Sequence, residues 1–179
     1  MSIQLSKPII FVGPPYGGKS TVGSMVASRL GVSFYDLDPM IETQYRISIQ
    51  RVFASKQEPY FRLLETQCLG SFCKRPKPVR YVIATGGGVM ESQKNRDLMQ
   101  GLGDLVYLRV SAEQIVERMR ASELKHPVLH GKSCDDIRML LKAREKYYMT
   151  ASRIIETSQH SSHQVCLDIL GGLRDGTWR

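Results

Sequence analysis

The chain has 179 residues, 42% of them hydrophobic and 23% charged, which fits one globular domain. At this length about 70% of the unfolded surface can be buried, so no disulfide or metal staple is needed. Global disorder, low complexity and collagen-like repeats are excluded. The net charge of +8 leaves two readings open, a basic solvated surface or an anionic ligand.

No apolar run approaches the roughly 20 residues that span a bilayer, and Met1–Val12 does not read as a signal peptide. No membrane partner is expected. Cys68, Cys73, Cys134 and Cys166 have neither zinc nor disulfide-framework spacing, so free thiols in the cytoplasm are expected. Zinc-finger spacing and RNA-binding aromatic signatures are missing, and no nucleic-acid partner is expected.

Short apolar runs alternate with helical periods, which predicts an α/β fold with a parallel sheet. Ile9–Val12 reads as a buried strand. Val22, Met25, Val26 and Leu30 then share a helical face, with Gly31 as the stop. Val32–Tyr35 is a second strand ending at Asp36. A helix follows over Glu58–Lys74, then a third strand over Tyr81–Ala84 and a fourth over Asp104–Val110. Ser111 and Gln114 form a capping box. Asp135 or Asp136 caps a helix carrying Ile137, Leu140 and Leu141, Arg153–Thr157 is a fifth strand, and His163–Leu170 a last helix. Residues 121–134 lack a period and contain Pro127 and Gly131, so they read as a long loop of the kind that serves as a lid. Gly171–Arg179 reads as a frayed tail.

Gly13-Pro14-Pro15-Tyr16-Gly17-Gly18-Lys19-Ser20 fits G-x-x-x-x-G-K-[ST] between a buried strand and an amphipathic helix. Glycines there let backbone N–H groups wrap a β-phosphate. Lys19 reaches the β/γ oxygens, the Ser20 hydroxyl ligates Mg²⁺, and the helix dipole faces the anion. Purine nucleotide binding with Mg²⁺ is therefore expected, with Thr21 next to the loop in the same site.

The acceptor is less directly written. Strand alternation would send Asp36 and Asp38 to one side at the sheet's carboxyl edge, one for a metal-bound water and one for a substrate proton. A helix cap plus a solvated acid explains the pair equally well. Arg62 has Glu58 at i−4 and Glu65 at i+3, either as surface pairs or with Glu65 orienting Arg62 toward an anion. Ile137, Leu140, Leu141, Arg144 and Tyr148 share a helical face, so Arg144 needs an anionic partner, a water-filled cleft or a solvated head. Two such arginines can grip one carboxylate. Thr85-Gly86-Gly87-Gly88 follows the third strand, where three glycines permit close backbone approach to a ligand. The His126/His130 and His160/His163 pairs lack a supporting acid cluster and are not read as metal sites.

With these residues in place, the sequence resembles the shikimate kinase family from residue 9 to about 170. The phosphate loop and Phe34-Tyr35-Asp36-Leu37-Asp38 carry the resemblance, with Ile41-Glu42, Ser48-Ile49 and Phe53. So do Glu58-x-x-Phe61-Arg62-x-x-Glu65, Thr85-Gly86-Gly87-Gly88, and Arg144 with Tyr147-Tyr148. The resemblance implies a P-loop NTPase fold, a five-stranded parallel sheet flanked by helices. It implies a core, a substrate-binding helical region at about 37–65 and a lid at about 119–133. The implied reaction passes the ATP γ-phosphate to the 3-hydroxyl of shikimate, in a monomer. Asp36 would hold Mg²⁺ through water, with Ser20 as a direct ligand. Asp38 would bind ring hydroxyls and act as base or orienting group. Arg62, Arg144 and Gly86–Gly88 would hold shikimate, and Phe53 and Phe61 would wall its ring.

The sequence departs from the family pattern in the lid, where Arg-Pro-Leu-Leu is usual and His126-Pro127-Val128-Leu129 stands here. Lys125, Arg118 or Arg120 could supply the missing cation, and Arg118 is expected against adenine. The alternatives are a kinase of another polyol acid, such as gluconate, and a weakly active module that binds shikimate or nucleotide.

Overall fold

The structure, a computed structural model, describes residues 5–55, 57–75, 80–123 and 126–175. Five strands, β1 (Ile9–Val12), β2 (Ser33–Asp36), β3 (Tyr81–Ala84), β4 (Asp104–Arg109) and β5 (Arg153–Glu156), form one parallel sheet in the order β2-β3-β1-β4-β5. β1 and β3 lie inside the sheet and are buried throughout. A strand covered on both faces reads as an unbroken apolar run, which is why both are visible in the sequence.

Period two divides the core. Ile9 and Phe11 pack with α1 (Lys19–Leu30) and α8 (Ser162–Arg174) through Val22, Val26, Val165 and Ile169. Ile10 and Val12 pack on the other face with α2 (Leu37–Tyr45), α4 (Glu58–Cys73) and α5 (Gln93–Leu102) through Leu37, Ile41, Phe61, Leu64 and Met99. The helix after β1 therefore covers one face and the helix after β3 the other. Loops leaving two adjacent parallel strands for opposite faces open a crevice at their carboxyl ends. A third cluster, Val110, Ala112, Ile115, Leu129 and Ile137, joins α6 (Ala112–Ala121) to α7 (Cys134–Tyr148).

The helix stop at Gly31 is in place, with φ +65° and its N–H on the Ala27 and Ser28 carbonyls. Several expectations are corrected. Ser133, not Asp135 or Asp136, caps α7, and Asp136 is the reciprocal partner in a full capping box. Ser111 caps α6 through the Gln114 N–H, but the Gln114 side chain bonds Glu117, so the box is half made. Residues 171–174 continue α8 rather than fray; 176–179 lie outside the described residues. α2 and the short α3 (Ile49–Ala54) fall in the helical region implied at about 37–65, whereas α5 has no counterpart in the sequence reading. Asp38 is not on the strand: β2 ends at Asp36, and Asp38 stands in the first turn of α2. None of the four cysteines is disulfide-bonded. No described helix is long and apolar enough to cross a membrane.

Candidate active site

The phosphate loop leaves β1 at Gly13 and enters α1 at Lys19. Gly13 has φ +142°, and a Cβ there would meet the Leu108 carbonyl at 2.7 Å and the Tyr107 ring at 3.4 Å. Only glycine meets both demands. Tyr16 takes φ +59° without being glycine. The Pro14 carbonyl accepts from the Gly17 N–H at 3.1 Å and from Lys19 Nζ at 2.7 Å. Burial lowers the Lys19 ammonium to about 8, opposed by the nearby Asp38 and Asp36. Beside the loop lies an open cleft of ≈ 690 Å³ lined by Tyr16, Gly18, Lys19, Ser20, Thr21 and Arg118. His160, on the loop after β5, also lines it, a residue the sequence reading weighed only as half of a metal pair. Arg118 lines this cleft, with its guanidinium on the carbonyls of Tyr16 (2.8 Å) and Thr157 (3.2 Å).

Across Lys19 and Pro15 lies a second pocket. It gathers Asp38, Phe53, Phe61, Arg62, Gly86, Gly87, Gly88 and Arg144, which the sequence placed on five separate elements or loops. His126, Pro127 and Val128 cover it. The enclosed space is ≈ 20 Å³, about one water's worth, so this segment is seated down on the pocket. Lys125 lies outside the described residues, and Arg120 is exposed on α6.

Phe53 and Phe61 form one wall, ring centroids 5.4 Å apart, with the Arg62 guanidinium 6.0 and 5.4 Å from them. Arg62 donates to Glu65 at 3.0 Å and to Glu58 at 2.7 Å. The Glu65 side chain is fully buried, so this pair is no surface ornament: Glu65 fixes Arg62 from behind. Arg144 is 7% exposed and pairs with Glu91 at 2.6 Å, a partner the sequence did not show. Its Nε is buried without a hydrogen-bond partner among the described residues. A buried guanidinium with a spare donor in a pocket calls for an anionic ligand.

The acids are perturbed as well. Asp38 is half-buried, and its Oδ1 is shut off from solvent with no partner among the described residues. Burial first, then Asp36, push its carboxyl up to about 6, against Lys19 and Arg62. Burial likewise pushes Glu65 up to about 7, although Arg62 pulls the other way. A carboxylate with a raised pKa beside a lysine ammonium suits proton acceptance near neutrality.

The three glycines serve the pocket's own side chains. A Cβ on Gly86 would meet Glu65 Oε1 at 2.6 Å and Asp38 Oδ1 at 3.0 Å; one on Gly87 would meet the Pro15 ring at 2.5 Å; one on Gly88 would fall on the Arg62 guanidinium. Only the last obstacle can swing aside. Gly88→Ala is expected to leave the melting temperature within about 3 °C of wild type while raising the acceptor KM about tenfold through displaced Arg62. Thermal unfolding and steady-state kinetics on one preparation check both halves.

His126 Nδ1 accepts from the Val128 N–H at 3.2 Å, and the His126 N–H donates to the Tyr16 hydroxyl at 3.4 Å. The two rings meet edge-on, centroids 6.2 Å apart. Burial, then Lys19, Arg144 and Arg62, hold the imidazole down to about 4.

A phosphate loop on one side of Lys19, and on the other a covered pocket with two arginines and a carboxylate, belong to the P-loop kinases of small molecules. The family model described as shikimate kinase matches residues 17–174. The chain is 36% identical over 166 residues to the shikimate kinase of Geobacter metallireducens, covering 92% of this chain and 90% of that protein. It is 34% identical to that of Alkaliphilus oremlandii over 92% and 97%. Its fold matches the shikimate kinase from Acinetobacter baumannii, solved in complex with shikimate, with TM-score 0.86 at 31% identity over 97% and 96% of the two chains. The chain belongs to the shikimate kinase family and is a phosphotransferase. A deoxyadenosine kinase from M. mycoides, at 14% identity and TM-score 0.60, shares the fold alone.

Proposed function

We propose that the chain transfers the γ-phosphoryl group of ATP to the 3-hydroxyl of shikimate, giving shikimate 3-phosphate and ADP on the route to chorismate and the aromatic amino acids. The convergence of Arg62, Arg144 and Asp38 on one pocket beside Lys19 carries this reading. The two guanidinium groups take the acceptor's carboxylate, Phe53 and Phe61 wall its ring, and the Gly86–Gly88 backbone lies against its hydroxyls. Asp38 accepts the hydroxyl proton as the oxygen attacks the γ-phosphorus and the bond to ADP breaks. Lys19 leaves the Pro14 carbonyl for the phosphate oxygens. Residues 37–65 form the substrate region and 119–133 the lid. Phosphoryl transfer depends mainly on positioning and electrostatics, which these groups supply.

Ser20 at the head of α1 and Asp36 at the end of β2 fit Mg²⁺, which takes few protein ligands and keeps several waters. There it would neutralise charge on the nucleotide phosphates. One chain lines both pockets, which supports a monomer. Unpaired thiols support a cytoplasmic setting.

The test is ADP release with Mg-ATP and either shikimate or gluconate as acceptor. Shikimate-dependent turnover, lost with EDTA and restored by Mg²⁺, is expected. Release with gluconate but not shikimate would move the acceptor to another polyol acid.

A further inference from the structure

We propose that His126 works as a neutral hydrogen-bond donor, its Nε2–H directed from the lid to an oxygen of the phosphoryl group in transfer. This rests on the functional reading above and assigns that site one more catalytic residue. The geometry is specific. The Val128 N–H can only donate, so His126 Nδ1 must be the bare, accepting nitrogen. A neutral imidazole then carries its proton on Nε2, at the opposite edge of the ring.

The ring is held by its Nδ1 contact to the Val128 N–H and by the Tyr16 ring packed edge-on against it, while the His126 backbone N–H donates to Tyr16 Oη. Tyr16 itself is fixed on the phosphate loop, where Arg118 holds its carbonyl. His126 also lines the acceptor pocket with Asp38, Arg62 and Arg144. In the functional reading above the phosphoryl group passes between Lys19 and Asp38, and the Lys19 charge is felt at the His126 ring.

Burial first, then the charges of Lys19, Arg144 and Arg62, oppose a proton on the ring. Asp38 is the acid that shares the pocket. With three cations already present, a fourth is not needed for charge balance; a directed N–H is what the lid adds. Arg118 is spent on two backbone carbonyls.

Two measurements test this. In ¹⁵N spectra of the full chain at pH 7, without substrate, His126 should appear as the Nε2–H tautomer; an Nδ1–H tautomer or an imidazolium overturns the proposal. In steady state, His126→Ala should lower kcat roughly 10- to 100-fold, as loss of one transition-state donor does, with the shikimate KM changed less than about threefold. His126→Gln, which keeps an N–H donor without charge, should recover kcat to within about fivefold of wild type. A glutamine variant as slow as the alanine variant overturns the proposal, as does an alanine variant within twofold of wild type. Wild-type protein that turned over no shikimate would sink the functional reading and the catalytic role together, and the tautomer would still be decided by the spectra.

Discussion

Asp38→Asn should abolish most turnover, with kcat down roughly 10²- to 10⁴-fold, the range for a lost general base, and the shikimate KM little changed. Asparagine keeps the shape and the hydroxyl contacts but cannot take the proton. The pH dependence supplies the second readout. Because burial and Asp36 raise the Asp38 carboxyl to about 6, the ionised base is present above that pH and lost as pH falls through it. kcat/KM for ATP should therefore show an acid limb near pH 6. Glu65, raised to about 7 and coupled to Asp38, shares that limb, so it belongs to the pair. The alkaline limb belongs to Lys19, lowered to about 8, and reports the free enzyme. In kcat the same limb should move to higher pH, since bound phosphates favour the charged ammonium. Rate profiles from pH 5 to 9.5, fitted for both parameters, check the pair of shifts; an unmoved alkaline limb would remove Lys19 from the phosphate site.

The second large effect is at Arg144. Arg144→Ala should raise the shikimate KM about 100-fold or more, in line with the loss of a desolvated charge pair. Lysine should not rescue it, because a single ammonium cannot reproduce the planar fork. The amide of shikimate separates carboxylate recognition from general damage: wild type should strongly prefer the acid, and the alanine variant should lose most of that preference. An undiminished preference would place the carboxylate elsewhere. Arg144 reaches this role through Glu91, which holds Nη2 and leaves Nε for the ligand.

How much of this could be read in advance depended on whether a signal was local. Gly13–Ser20 between an apolar strand and a periodic helix carries its own context, and so does Arg144 at the apolar positions of α7. Asp38 was expected from strand alternation, which would align it with Asp36 through Leu37, but the chain turns helical at Leu37 and the first turn of α2 brings it to the pocket instead. α3 is six residues long, too short to show a period. α5 is polar along most of its length, and its signals are the Ser92 cap and the short apolar face of Leu98, Met99 and Leu102. The Glu91–Arg144 pair, the burial of Glu65 and the Tyr16–His126 contact join separate parts of the chain and follow only from the fold. The glycines were assigned to ligand approach; the closest approaches they permit are to Pro15, Arg62, Asp38 and Glu65.

The Tyr107 ring lies beneath Gly13, where the phosphate loop begins, and stacks on Tyr148 at 4.8 Å. The Tyr148 hydroxyl donates to the Gly87 carbonyl. Both phenols are fully buried. The donor loop and the acceptor loop are thus fastened to opposite ends of one aromatic spacer, anchored in β4 and α7. The spacing between the two loops is set when the chain folds and need not be measured out again at each turnover; what remains for the lid is to bring the His126 N–H and to shut out water.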